Sequence, residues 1–188
     1  MVGLGMLTAV IVVLQVLTTY FPIKPFPVTL ALVPIVIGAA LYGPKAGAYL
    51  GAVFSVVVVV MCIFGADAGG AMVWNANPLL CVLLCMAKGT LAGFTAGLVY
   101  KLIEGKNKIV AAACAAVVSP IVNTGVFYIG MLLFFQPVLR AWVGEGSDLL
   151  YSIIFTLTGI NFLVELGVNI VLVPVIVQIV KAVKKSRS

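Results

Sequence analysis

The stretch NPLLCVLLCMAKGTLAGFTAGLVYKL, residues 77–102, sets the class of this protein. It is apolar along most of its length, and a helix that crosses a bilayer needs about 20 mostly apolar residues. Its one charge away from the ends is Lys88, which has no acid near it in the sequence. Because a charge at membrane depth costs several kcal/mol unless it is paired or hydrated, Lys88 is a candidate functional residue.

The composition of the chain agrees with a membrane location. Of the 188 residues, 64% are hydrophobic and 9% are charged, whereas a soluble domain is about half apolar and a quarter charged. We predict an all-α integral membrane protein with residues 1–188 in a single domain. The chain has no histidine, which excludes imidazole metal sites and His-based catalysis. Its net charge of +6 is interpreted as topology information, and no nucleic-acid partner is expected.

Proline-, glycine- and charge-rich breaks separate six apolar segments, approximately 2–21, 28–43, 46–64, 78–103, 109–135 and 149–180. We predict six transmembrane helices, with tilt or partial burial of the short second and the long sixth. Eight basic residues fall at one set of segment ends and two at the other, so the positive-inside rule places both termini in the cytoplasm. The glycine- and alanine-rich break at 65–78 predicts a mobile outer loop.

Small residues recur at helical spacing in two ladders, Gly43, Gly47 and Gly51, and Gly89, Gly93 and Gly97. In lipid this spacing lets helix backbones approach closely, so both ladders predict internal helix packing. Gly5 and Ala9 form a similar pair, which would face either a neighbouring helix of this chain or a partner protein.

The four cysteines are Cys62, Cys81, Cys85 and Cys114. They lie in apolar segments without C-x-x-C spacing, so we interpret them as packing residues and predict neither a disulfide nor a metal site.

Glu165, in the sixth segment, is the other ionisable residue at predicted membrane depth. At 1.5 Å per residue, Lys88 and Glu165 agree in depth to within about 8 Å, which predicts an ion pair across the bundle. The alternative is a polar cavity among the last three helices in which Lys88 faces a solute, because membrane interiors keep polar groups only where they are satisfied. The candidate lining residues are Lys88, Trp74, Asn75, Asn77, Asn123, Tyr128, Asn161 and Glu165. Trp74 could instead be an interfacial anchor.

Several stretches resemble the substrate-binding S component of energy-coupling-factor (ECF) vitamin transporters. They are GLGMLTAVIVVLQVL (3–17), VPIVIGAALYGPKAGAYLGAVFS (33–55), NPLL (77–80), VVSPIVNTGVFYIG (117–130) and NFLVELGVNIVLVPVI (161–176). The resemblance implies capture of a vitamin or related micronutrient at the outer side of a prokaryotic cell membrane, without a cofactor. It also implies docking through Gly5 and Ala9 onto a membrane T component that sits on two ATPases, although the family's pair is typically alanine with alanine. The chain lacks a G-x-x-x-x-G-K-[ST] motif, which agrees with ATP hydrolysis elsewhere.

The substrate and two competing classes stay open at this point. Lys88 suits a carboxylate, and the pattern is closest to pantothenate-like members of the family, while residues 25–48 resemble biotin-type members. If Glu165 fully neutralises Lys88, the argument for an anion is lost, and riboflavin, folate, another vitamin or a micronutrient such as a modified nucleobase stays open. A stand-alone secondary carrier or channel could use the Lys88–Glu165 pair as an ion relay. A membrane enzyme or protease using Ser119, Lys88 or Glu165 is disfavoured, since the chain has neither histidine nor a G-x-S-x-G motif.

Overall fold

The computed structural model describes residues 2–20, 29–143 and 159–185. Within these ranges the chain forms nine helices, which confirms the predicted all-α class. They are α1 (Val2–Tyr20), α2 (Leu32–Tyr42), α3 (Pro44–Ile63), α4 (Ala68–Ala76), α5 (Pro78–Ile103), α6 (Lys108–Phe134), α7 (Gln136–Val143), α8 (Gly159–Val171) and α9 (Val173–Lys185).

Four of these helices, α1, α3, α5 and α6, are long and apolar enough to cross a membrane. A fifth span is formed if α8 and α9 count as one, since they bend by 46° at the break between them. Pro174 accounts for the bend, because its ring clashes with the preceding turn and it has no N–H to donate.

Helix α2 is too short to span a membrane. Its 11 residues extend about 16 Å, which is shorter than a hydrocarbon core of about 30 Å. Residues 32–40 of this helix are all buried, so α2 belongs to the core of the bundle. The predicted partial burial of the second segment is confirmed, and the count of six spanning helices is not.

The two glycine ladders bring α3 and α5 into backbone contact, which confirms the predicted internal packing. A Cβ on Gly93 would overlap the carbonyl oxygen of Gly47, and a Cβ on Gly51 would overlap that of Gly89. The two helices therefore run antiparallel in a fixed register. On its other side α5 packs against α6, where Gly130 leaves room for the Leu84 side chain.

The segment 65–78 contains a helix, so the prediction of a long loop there is wrong. Helix α4 begins after Asp67, whose Oδ1 accepts the N–H of Gly69 at 3.1 Å, and Val73 anchors it in the core. Its small residues pack closely on α3. Glycine and alanine are also typical of loops, so the composition of this segment does not predict the helix. The end of the bundle that carries α4 and α7 is called the α4 end below.

Candidate functional site

The Lys88 side chain lies on α5, ten residues beyond Pro78, and is half-buried. Its Nζ lies 4.8 Å from the centroid of the Phe127 ring on α6. Tyr128 meets that ring edge-on, with centroids 5.6 Å apart and planes at 80°. A cation–π contact contributes about 0.5–2 kcal/mol, which is less than the several kcal/mol that a charge costs at membrane depth. The aromatic ring alone does not offset the charge of Lys88.

Glu165 is buried on α8, with 3% of its surface exposed. Its Oε1 accepts the backbone N–H of Thr29 at 3.1 Å, so it connects α8 to the residues that precede α2. One turn further along, the Asn169 amide donates to the Glu165 carbonyl at 2.8 Å. Glu165 therefore has a structural partner of its own.

The predicted ion pair between Lys88 and Glu165 is not formed. Among the residues that the structure describes, no carboxylate contacts the Lys88 ammonium, although the charge of Lys88 acts on Glu165 through space. Counting residues along two helices gives the depth of a side chain and says nothing of its direction around the helix axis. Both α5 and α8 pack against α6. Lys88 contacts Phe127, and Glu165 accepts the N–H of Thr29.

Helix α6 presents a polar face towards the buried part of the bundle. Ser119 and Asn123 are the polar residues of this face, and Phe127 follows at the same spacing of four. In the described part of the chain, the side-chain oxygens of Ser119, Asn123 and Asn169 are buried without a hydrogen-bond partner. Each such group costs about 1–3 kcal/mol when left unsatisfied, so these atoms require water or a ligand.

The other predicted lining residues have different surroundings. Trp74 is half-buried and packs, like Phe127 and Tyr128, against the apolar cluster at the α4 end. Asn75 is exposed. Asn77 caps α5, since its Oδ1 accepts the N–H of Leu80 at 3.1 Å.

The backbone of Asn161 belongs to α8, but its side chain lies outside the described part of the structure.

Two contacts of the site were missed from the sequence. Phe127 carries a recognisable signal, because it lies four residues after Asn123 on the same helical face. Thr29 carries none, since it contributes only its backbone N–H.

Three of the four cysteines converge in the buried core, which agrees with their interpretation as packing residues. The sulfur atoms of Cys62, Cys81 and Cys85 all lie within 4.8 Å of one another. The register of the glycine ladders explains this convergence. Gly51 lies opposite Gly89, and Cys62 lies about three turns beyond Gly51 on α3. Because the two helices are antiparallel, Cys62 is level with the first turn of α5.

The Gly5 and Ala9 pair lies on an exposed face of α1. A Cβ at Gly5 would meet nothing within 4 Å, whereas Gly3 packs against Tyr42. Within the described residues, therefore, no helix of this chain covers the pair.

We expect Glu165→Leu to lower the free energy of unfolding by about 1–3 kcal/mol, because the Thr29 N–H loses its acceptor. Glu165→Gln keeps an oxygen and should stay within about 1 kcal/mol of wild type. A direct buried ion pair would instead make the Gln variant lose about 3–5 kcal/mol. Thermal unfolding in mild detergent separates the two cases.

These features define a multi-pass membrane protein with polar groups buried among its helices. Residues 1–177 match the family described as the substrate-specific component of ECF transporters. Since the match covers most of the chain, the protein belongs to that family, which confirms the resemblance found in the sequence. No curated protein matches the sequence.

Proposed function

We propose that this subunit captures a vitamin or related micronutrient that bears a carboxylate, for an ATP-driven ECF importer. The observation that carries the proposal is Lys88, a half-buried cation in a spanning helix with an aromatic ring as its contact. The ring leaves several kcal/mol of burial cost uncompensated. A carboxylate on the solute would supply the missing counter-charge through charge-assisted hydrogen bonds.

Aromatic and polar groups on α4, α6 and α8 suit a solute of mixed polarity. Phe127 and Tyr128 offer apolar walls, and the half-buried Trp74 offers a further aromatic surface. The oxygens of Asn123 and Asn169 can accept hydrogen bonds from hydroxyl or amide donors. A carboxylate combined with hydroxyl and amide groups is the chemistry of a pantothenate-like molecule, which is the substrate we favour. In this proposal Glu165 acts mainly by holding the start of α2 in place.

The positive-inside bias supports both termini in the cytoplasm of a prokaryotic cell, with the α4 end facing outwards. Solute would then enter from outside. ATP would be hydrolysed by two partner ATPases, reached through a membrane T component.

The exposed face of α1 supports a docking role for Gly5 and Ala9. Helix α1 buries only Ile11 and Gln15 within the bundle, and small residues let a partner helix approach closely. We expect Ala9→Trp to abolish co-purification with the T component, because the indole would hold the two backbones apart, while solute affinity stays unchanged. Val10→Trp is the matched control, since Val10 is also exposed but points about 100° away around the helix. Assembly that survives Ala9→Trp would place the interface elsewhere.

The function is tested by releasing and measuring the bound solute. The chain is purified in mild detergent and denatured, and the small molecules set free are identified by mass spectrometry, with pantothenate titrated into protein that is empty. We expect one carboxylate-bearing vitamin per chain, and uptake into liposomes only when the T component and ATPases are present. Uptake by the chain alone would contradict the proposal and favour a secondary carrier.

A further inference from the structure

Three buried thiols meet at the α4 end of the bundle. Cys62 comes from the last turn of α3, and Cys81 and Cys85 come from successive turns of α5. All three are free thiols, with 3%, 1% and 4% of their surfaces exposed. Helix α4 covers them closely, since a Cβ on Gly70 would overlap the Cys62 sulfur.

The spacing of the sulfur atoms is close to that of a metal-thiolate site. A metal bound by three thiolates at about 2.3 Å in a plane requires sulfurs about 4 Å apart. The observed upper limit of 4.8 Å exceeds this by less than about 1 Å, which small side-chain rotations can close. The frame of the site is rigid. Cys81 and Cys85 are spaced by four residues on α5, and Cys62 lies on α3, which is in backbone contact with α5.

The ligand set points to a soft ion with low coordination number. Among the His, Cys, Asp and Glu side chains that the structure describes, these three sulfurs group together without a fourth ligand. Structural zinc almost always takes four ligands, whereas thiolates alone suit Cu(I).

Charges of both signs lie near the thiols, because the Asp67 carboxylate acts on Cys62. Lys88 lies one turn beyond Cys85, and its positive charge acts on both Cys81 and Cys85. Cu(I) bound by three thiolates carries two net negative charges, one of which Lys88 would balance. Each thiol that becomes a thiolate ligand releases its proton on binding.

We propose that Cys62, Cys81 and Cys85 form a binding site for Cu(I), which would connect α3 to α5 beneath α4. The three thiol ligands are not among the residues proposed to contact the solute, but both sites would use the positive charge of Lys88. Because the ion would bind the folded chain, its binding should stabilise the protein.

The test uses the full chain in mild detergent, reduced and free of oxygen, titrated with Cu(I) against a chromogenic Cu(I) chelator. We expect one Cu(I) per chain and a raised melting temperature. Cys62→Ser, Cys81→Ser and Cys85→Ser should each weaken binding at least 100-fold. Cys114→Ser is the matched control, because Cys114 lies on α6 outside the group, and it should bind as wild type does.

The proposal is wrong if the folded wild-type protein retains no Cu(I). It is also wrong if each of the three single serine variants binds Cu(I) as the wild type does, or if Cys114→Ser loses binding. X-ray absorption on the wild-type complex keeps the test decisive if a serine variant fails to fold. Three sulfurs at about 2.3 Å would support the site, and nitrogen or oxygen donors in the first shell would contradict it.

Discussion

Gly93→Ala is expected to lower the free energy of unfolding by about 3 kcal/mol or more, at the upper end of the range for overpacked sites. The added methyl would overlap the carbonyl oxygen of Gly47 and also approach the Ile35 side chain. A backbone atom cannot rotate away as a side chain can, so α3 and α5 must move apart along the whole ladder. The loss should appear in thermal unfolding in detergent and as a reduced yield of folded protein.

Gly125→Ala on α6 is the matched control for that variant. A Cβ at Gly125 would meet nothing within 4 Å, and alanine favours a helix over glycine by about 1 kcal/mol. The control should therefore be as stable as wild type or slightly more so. Equal stability of the Gly93 and Gly125 variants would mean that the ladder contact does not hold the bundle together.

The sequence predicts the helices well because the signals for them are local. Helix α5 begins at the predicted Pro78, where Asn77 supplies a cap and proline suits the first turn. The turn at Gly43, with φ of 90°, has the left-handed backbone that glycine adopts easily. The two glycine ladders predict close packing correctly, since a repeat of four residues fixes one helical face.

The side-chain contacts could be predicted only in part, because they depend on how helices rotate against each other. The sequence places Lys88 in an apolar helix but points to Glu165 as its contact, whereas the structure shows Phe127. Glu165 bonds a backbone N–H at Thr29, for which side-chain chemistry gives no signal. The cysteine cluster becomes predictable only once the ladders have set the register between α3 and α5.

Lys88→Met is expected to weaken solute binding at least 100-fold, equivalent to about 2.7 kcal/mol. Methionine keeps the length and the apolar stem of lysine but removes the charge that would meet a carboxylate. Losing one partner of a desolvated charge pair typically costs 2–5 kcal/mol of binding free energy. The measurement is calorimetric titration with the vitamin released from wild-type protein, or with pantothenate if the protein is empty.

The melting temperature of Lys88→Met distinguishes a binding role from a structural one. If the charge serves only the solute, its removal takes away a burial cost, and the empty variant should melt at or above the wild-type temperature. Lys101→Met, at an exposed position in the last turn of the same helix, should change neither affinity nor melting. Unchanged affinity in Lys88→Met would contradict the carboxylate proposal. A lower melting temperature with unchanged affinity would instead make the Phe127 contact the reason that α5 carries a lysine at this depth.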